Sequence, residues 1–234
     1  METREVKEKM MHFITEKNPK YFYKAESFPE LKIIQDKFQT IKNELIELLN
    51  LNQNDRWMRT FPEYVESKEN DSWHVFSFLF FSMKSKMNAT LCPQTASLIF
   101  SVPSIISCDF SLLPGRTRIK PHEGYSRMVL RCHLPLMVPE GKKCALRVGD
   151  KTHYWKEGEL VIFDDSFEHE AWNDSRQNRV VLMFDIPNPL WGYSAQEISR
   201  YKIENLQDPF LLSLASKEEW LACFKAQELP LVEF

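Results

Sequence analysis

Ile34, Phe38, Ile41, Leu45 and Leu48 follow Phe28-Pro29-Glu30 at intervals of three or four residues, with Lys, Glu and Asn between them. That period gathers the apolar side chains on one face of a helix, and a proline in the first turn has no helical acceptor to lose. The pattern therefore predicts one amphipathic helix from about Pro29 to Asn50. Residues 51–72, rich in Asn, Asp, Glu and Arg and without a period, read as a surface connection. From Trp73 to Pro187 the period shortens to that of strands, with β-prone runs at 75–83, 97–102, 107–113, 127–137, 144–148, 159–163 and 179–186. Pro103, Pro114-Gly115, Pro139-Glu140-Gly141, Gly149-Asp150 and Gly158 separate them. Strands at this spacing imply a mainly β sandwich or jelly roll. Beyond Pro189 the pattern turns helical again, and Ser216 with Glu219 three residues on forms a capping-box start. Three segments result: an N-terminal helical segment and connection over 1–72, a β core over 73–189, and a C-terminal helical extension over 190–234, whose Trp220, Leu221 and Phe224 are expected to pack on the outside of the core.

Composition narrows the partners. The 234 residues carry 30 Lys+Arg against 33 Asp+Glu, a net charge of -3, with 43% hydrophobic residues, which suits a globular chain and supplies no basic footprint for nucleic acid. The longest apolar stretch, Val75 to Met83, is about half of the roughly 20 residues that cross a bilayer, so it reads as a buried strand. The opening METREVKEKMM is charged in both signs and no apolar segment follows, so neither a secretory signal nor integral membrane association is expected, and the expected compartment is cytoplasmic. Five widely spaced cysteines (Cys92, Cys108, Cys132, Cys144 and Cys223) with no C-x-x-C pair argue against a disulfide framework or a zinc knot. Sequons at Asn70, Asn88 and Asn173 are read as chance.

The candidate chemistry lies late in the β core, where His122, His133, His153 and His169 fall. In 128–136 the even positions are all apolar, while Arg131 and His133 share the opposite strand face. In the last run Arg179, Val181, Met183 and Asp185 share one side, which lets Arg179 reach a strand-end pocket. His169 follows Phe163-Asp164-Asp165-Ser166-Phe167-Glu168, just past a core strand, and His122 stands at another strand edge. Two imidazoles from separate strands can bind a divalent metal and leave positions open. Each residue also has an ordinary structural use: a hydrogen-bonded histidine, an interstrand ion pair for Arg131 or Arg179, a turn for Asp164-Asp165.

An ordered series of matches settles the weighting. Ser111-Leu112-Leu113-Pro114-Gly115, Pro121-His122-Glu123-Gly124, Leu130-Arg131-Cys132-His133-Leu134, Trp155-Lys156-Glu157-Gly158 and Ile162-Phe163-Asp164-Asp165-Ser166-Phe167-Glu168-His169-Glu170, with Arg179 ten residues after His169, resemble the aspartyl/asparaginyl β-hydroxylase family of iron(II)- and 2-oxoglutarate-dependent oxygenases. The resemblance implies a double-stranded β-helix (jelly-roll, cupin-like) core with flanking helices. It implies His122 and His169 as catalytic iron ligands, and Ser111, Arg131, His133 and Arg179 as the 2-oxoglutarate residues. Arg179 and Ser111 would take the distal carboxylate, and His133 with Arg131 the end near the metal, unless Arg131 instead contacts an acidic group on the substrate. Gly124 stands where most oxygenases of this broad class have a carboxylate ligand, as it does in the hydroxylases this chain resembles, and Glu123 points to the wrong face to replace it. Iron(II), 2-oxoglutarate and dioxygen would together hydroxylate an unactivated C–H bond. His74 and His153 are left as structural or exposed.

The resemblance first suggests the β-carbon of an Asp- or Asn-like residue in a peptide, protein or amino acid as the target. Ile186-Pro187-Asn188-Pro189 departs from the Val-Trp-His-Pro of the vertebrate-type enzyme near the site mouth. A lipid acyl chain is the alternative substrate within the same chemistry, although relatives that act on lipids would be expected to carry a hydrophobic membrane segment and none is read from this sequence. A non-catalytic jelly-roll binding module is the alternative class, and it would be expected to have lost His122, His169 or Arg179.

Overall fold

The computed structural model describes residues 20–51, 56–67 and 72–229. The charged N-terminus and the sequon at Asn70 lie outside the described residues. Two antiparallel sheets face each other. The larger is ordered β1 (Phe22–Tyr23), β11 (Val161–Phe163), β8 (Val129–Met137), β13 (Arg179–Pro187), β6 (Ser107–Leu113), β4 (His74–Phe80) and β2 (Met58–Arg59), with β5 (Met83–Lys84) on β4. The smaller is ordered β10 (Lys151–Tyr154), β9 (Cys144–Val148), β12 (His169–Asn173), β7 (Thr117–His122) and β3 (Val65–Ser67). Consecutive strands cross repeatedly between the sheets, which is the winding of a double-stranded β-helix.

Alternation along the central strands divides the side chains as the sequence suggests. Leu130, Cys132, Leu134, Leu182, Phe184, Cys108, Phe110, Phe76 and Phe78 face outward into one core, closed by the N-terminal helices through Leu31, Ile34, Ile41, Leu45 and Leu48. Each such side chain removed from water contributes about 1.5–3 kcal/mol. Between the sheets lies a second core with Val75, Leu113, Ile119, Leu146, Val148, Trp155, Val161 and Phe163. A third joins Phe81, Met83, Ile106 and Val129 to the C-terminal helices through Ile198, Ile203, Leu211, Trp220 and Phe224.

Three local expectations are corrected. The helix predicted over 29–50 is a 3-10 turn at Pro29–Leu31, then α1 (Lys32–Asp36) and α2 (Phe38–Asn50), broken at Lys37, where φ is -95° and ψ 13°. On α1, Gln35 Nε2 donates to the Gly158 carbonyl at 3.1 Å. The run 97–102 is not a strand: α3 (Lys86–Leu91) leads into α4 (Pro93–Phe100), whose first turn is capped from a distance. The Glu44 carboxylate of α2 accepts from Gln94 N at 2.9 Å and Thr95 N at 2.7 Å. The connection 51–72 is not bare loop either, since it supplies β2 and β3, one to each sheet.

The C-terminal extension holds α5 (Ala195–Glu204), α6 (Pro209–Leu214) and α7 (Lys217–Ala226), and the capping box at Ser216 and Glu219 forms as read from the sequence. Its end is latched to the barrel edge. Lys84 N donates to Gln227 O at 3.1 Å, Leu229 N to Lys84 O at 3.0 Å, and Lys86 pairs with Glu228 at 2.5 Å. Among the described residues no helix is long and apolar enough to cross a membrane.

Candidate active site

His122 ends β7 and His169 begins β12, and the two are direct partners across the ladder, with ring centroids 4.2 Å apart. His169 is thus the first residue of a strand rather than part of the preceding loop. The turn before it is closed by Asp164, whose Oδ1 accepts from Ser166 N at 3.0 Å and Ser166 Oγ at 2.6 Å. A register shift between His169 and Ala171 sits beside the pair. His122 Nδ1 lies 2.7 Å from Lys120 O, and His169 Nδ1 3.0 Å from Phe167 O. With those protons donated to carbonyls, both Nε2 lone pairs are left available to a metal. Burial lowers both pKa values, pushing His169 down to about 3, so both rings are neutral as metal ligands must be. Tyr64 stacks on His122 with centroids 4.6 Å apart; it lies in the stretch read as surface connection, where no period announced it.

Gly124 stands beside this pair. Its N–H donates to Asp165 O at 2.7 Å, and the Asp165 carboxyl fills the space next to its Cα. That carboxylate is paired with Arg131, whose Nη1 lies 3.2 Å from Asp165 Oδ2. Asp185 grips the same guanidinium in bidentate fashion, Oδ1 from Nε at 2.9 Å and Oδ2 from Nη2 at 3.1 Å. Burial opposes the Arg131 charge, but Asp185 and Asp165 outweigh it and hold the group well above its ordinary range. Asp185 shares a face with Arg131 by strand register, and Asp165 arrives from the turn; neither partnership is visible from spacing. Among the described residues no set of three or more His, Cys, Asp or Glu is arranged to hold a metal. The protein's own donor set is therefore two imidazoles with open positions, which fits a divalent ion completed by water and a chelating ligand.

Behind the pair lies a buried corner. Arg179 is 1% exposed, and its Nη1 is 3.4 Å from Ser111 O and 3.5 Å from Ser111 Oγ. Trp73 Nε1 donates to Ser111 Oγ at 2.9 Å, and the guanidinium lies 4.8 Å from the Trp155 ring centroid. Among the described residues no carboxylate pairs with Arg179, and its Nε has no partner. Burial lowers its pKa to about 10, with the Cys144 thiol offsetting part of that cost. His133 is buried nearby between Trp155 and Phe163, and among the described residues both its ring nitrogens lack partners. Burial, then Arg179 and Arg131, drive its pKa well below the usual range. A buried cation without a carboxylate partner and two ring nitrogens without partners among the described residues are costly unless a ligand satisfies them. The donors match a small dicarboxylate. Ser111, His133 and Arg179 are thus brought together, whereas Arg131 is tied to protein carboxylates.

A cavity of about 590 Å³ opens from His122 and Arg131 and runs between the barrel and the C-terminal helices. Phe61, Tyr64, Trp73, Phe80, Phe210 and Trp220 form much of its wall. Phe61 meets Phe210 at 4.8 Å and Phe80 meets Trp220 at 5.7 Å between centroids, joining the two parts of the chain around the space.

The fold is a jelly roll with facing histidines at one end and, among the described residues, a buried guanidinium without a carboxylate partner behind them. Residues 35–189 match the model of the family described as aspartyl/asparaginyl beta-hydroxylase, and the chain belongs to that hydroxylase family. It is 34% identical over 213 residues to an ornithine lipid ester-linked acyl 2-hydroxylase of Rhizobium tropici, covering 88% of this chain and 74% of that protein. It is 32% identical over 136 residues to the aspartyl/asparaginyl beta-hydroxylase of Homo sapiens, covering 55% of this chain but 17% of that protein. With aspartate beta-hydroxylase domain-containing protein 2 of Mus musculus it shares 31% over 179 residues, 72% of this chain and 51% of the other. The chain therefore spans only a fraction of the latter two relatives. Among solved structures, a 2OG-Fe(II) oxygenase of Burkholderia pseudomallei gives a TM-score of 0.41 at 11% identity over 60% of this chain and 78% of its own, and a Pseudomonas putida prolyl-4-hydroxylase 0.40 at 13% over 64% and 86%. At such scores the fold rests on the strand order itself.

Proposed function

We propose that this chain is an iron(II)- and 2-oxoglutarate-dependent dioxygenase that hydroxylates a C–H bond of an acyl chain. The observation that carries the cosubstrate is Arg179, a buried cation that has no carboxylate partner among the described residues and stands with the Ser111 hydroxyl behind the histidine pair. Arg179 and Ser111 would grip the distal carboxylate of 2-oxoglutarate, and His133 would donate to the carboxylate nearer the metal. His122 and His169 would hold iron(II), their orientation set by the carbonyls of Lys120 and Phe167. Arg131 would stand near the metal-side carboxylate with its charge already shared by Asp185 and Asp165. When bound, iron with the keto acid supplies the activation of dioxygen that attack on an unactivated C–H bond needs. The balance is R–H with dioxygen and 2-oxoglutarate going to R–OH, succinate and carbon dioxide. The apolar wall orients the chain and excludes water from the reacting carbon.

Of the substrates open to this chemistry, the aromatic lining of the cavity and the extended match to the Rhizobium tropici acyl hydroxylase favour an acyl chain over an Asp or Asn side chain. The non-catalytic reading needs the loss of His122, His169 or Arg179, and all three are present.

Anaerobic titration with iron(II) and 2-oxoglutarate tests the site. A visible charge-transfer band that saturates in the wild type and is absent in His169→Ala and Arg179→Ala is expected. No band from folded protein would overturn metal and cosubstrate together. Succinate release driven by acylated amphiphiles and not by Asp- or Asn-containing peptides is the expected substrate result, and the opposite pattern restores the Asp/Asn target.

A further inference from the structure

One carboxylate on the cavity wall has no ion-pair partner among the described residues; the Arg131 guanidinium favours its charge, but by less than burial opposes it. Asp109 stands on β6 opposite Ser77 of β4 and Met183 of β13, is 7% exposed, and lines the cavity. Its hydrogen-bond partner is the Ser77 hydroxyl, a neutral donor. Two of the three Arg and Lys side chains on the same wall, Arg131 and Lys202, are engaged elsewhere. Arg131 is held by Asp185 and Asp165. Lys202 Nζ donates to Tyr125 O at 2.6 Å and lies 4.6 Å from the centroid of that ring. Arg56 makes no ion pair with Asp109 among the described residues. Asp185, two positions along β13 from the residue opposite Asp109, adds a like charge.

We propose that Asp109, with the Ser77 hydroxyl beside it, is a subsite for a protonated amine on the substrate, which makes the ligand class an amphiphile with an ammonium group near the metal end and an apolar chain beyond. The apolar half of this assignment rests on the acyl-chain reading above. Burial pushes the Asp109 carboxyl up to about 7, the behaviour of a charge whose hydration has been removed without replacement. An ammonium supplies the missing partner and draws the group to its carboxylate form. The exchange is between two groups of opposite sign in a space largely shielded from water, where a charge-assisted hydrogen bond discriminates about ten- to a hundredfold against a neutral analogue.

Trp73 and Trp220 both line the cavity, so their fluorescence reports its filling. The test titrates the full chain with dodecylamine and with dodecanol at submicellar concentrations. Dodecylamine is expected to saturate at a concentration at least about tenfold lower, and Asp109→Asn to bring it to the dodecanol value while leaving dodecanol unchanged. Equal binding of the two by the wild type, or an amine preference that survives in Asp109→Asn, overturns the subsite and leaves the acyl cavity standing. Binding of neither overturns the acyl-chain reading and the subsite with it. Should Asp109→Asn not fold, the wild-type comparison and a reduced amine preference in Ser77→Ala decide the matter.

Discussion

A Cβ added to Gly124 would lie 2.4 Å from the Asp165 Cγ, closer than real side chains approach. The position two residues after His122 is therefore glycine because the carboxyl of a different strand connection already occupies its side-chain space. Gly124→Ala is expected to destabilise the fold by about 1–3 kcal/mol, as overpacking of a filled site does. The same change in an Asp165→Gly background is expected to cost much less. A double-mutant cycle in urea measures the difference, and additive costs would show that the two residues do not compete for the space.

Arg179→Met separates binding from folding. Removing a buried, unpaired guanidinium is expected to leave the ligand-free protein as stable as the wild type or about 1–3 kcal/mol more stable. The stabilisation that 2-oxoglutarate gives with a divalent metal is expected to vanish. Thermal unfolding with and without the keto acid reads both effects, and a variant still protected by 2-oxoglutarate would place the anion elsewhere.

The pH dependence of Asp109 has a defined sign. Its folded pKa of about 7 lies above the usual carboxylate range, so between about pH 4 and 7 the native state binds a proton that the unfolded state has released. This group's contribution to stability is thus present at low pH and lost as pH rises through 7. Asp109→Asn is expected to exceed the wild type by about 1–2 kcal/mol near pH 5 and by on the order of 4 kcal/mol at pH 8. Denaturant midpoints at the two pH values check it; a gap that closes at pH 8 reverses the sign and refutes the burial.

Glu44 holds a helix that sequence periodicity does not define. Because its two oxygens take the Gln94 and Thr95 amides at the start of α4, Glu44→Ala is expected to cost about 1–2 kcal/mol. Glu44→Gln, which keeps one acceptor, is expected to cost less. Chemical denaturation ranks the two, and equal costs would make the loss one of packing.

Residues that alternate on long strands were legible. The split of β8 into Arg131 and His133 on one face and Leu130, Cys132 and Leu134 on the other, and the matching split of β13, are present in the structure. The resemblance named His122 and His169, and the ladder makes them partners. The strands that carry those histidines were harder to see, because Thr117–His122 and His169–Asn173 mix polar and apolar residues and the first contains a proline. The run Ser97–Phe100 reads as β until the cap from Glu44, some fifty residues away, is known. Most hidden was the charge arrangement. Arg131 finds Asp165 and Asp185, and Arg179 finds no carboxylate among the described residues, although sequence alone treats both as equal candidates for a keto acid.

The family match ends at residue 189, yet Lys202, Leu206, Phe210, Leu214 and Trp220 of the cavity wall all come after it, in the C-terminal extension pinned to the barrel edge through Lys84 and Glu228. One side of the cavity is thus built outside the matched stretch, while Phe61, Tyr64, Trp73 and Phe80 on the other side lie within it. Exchanging the C-terminal helices would reshape that one side and leave the facing histidines where they stand.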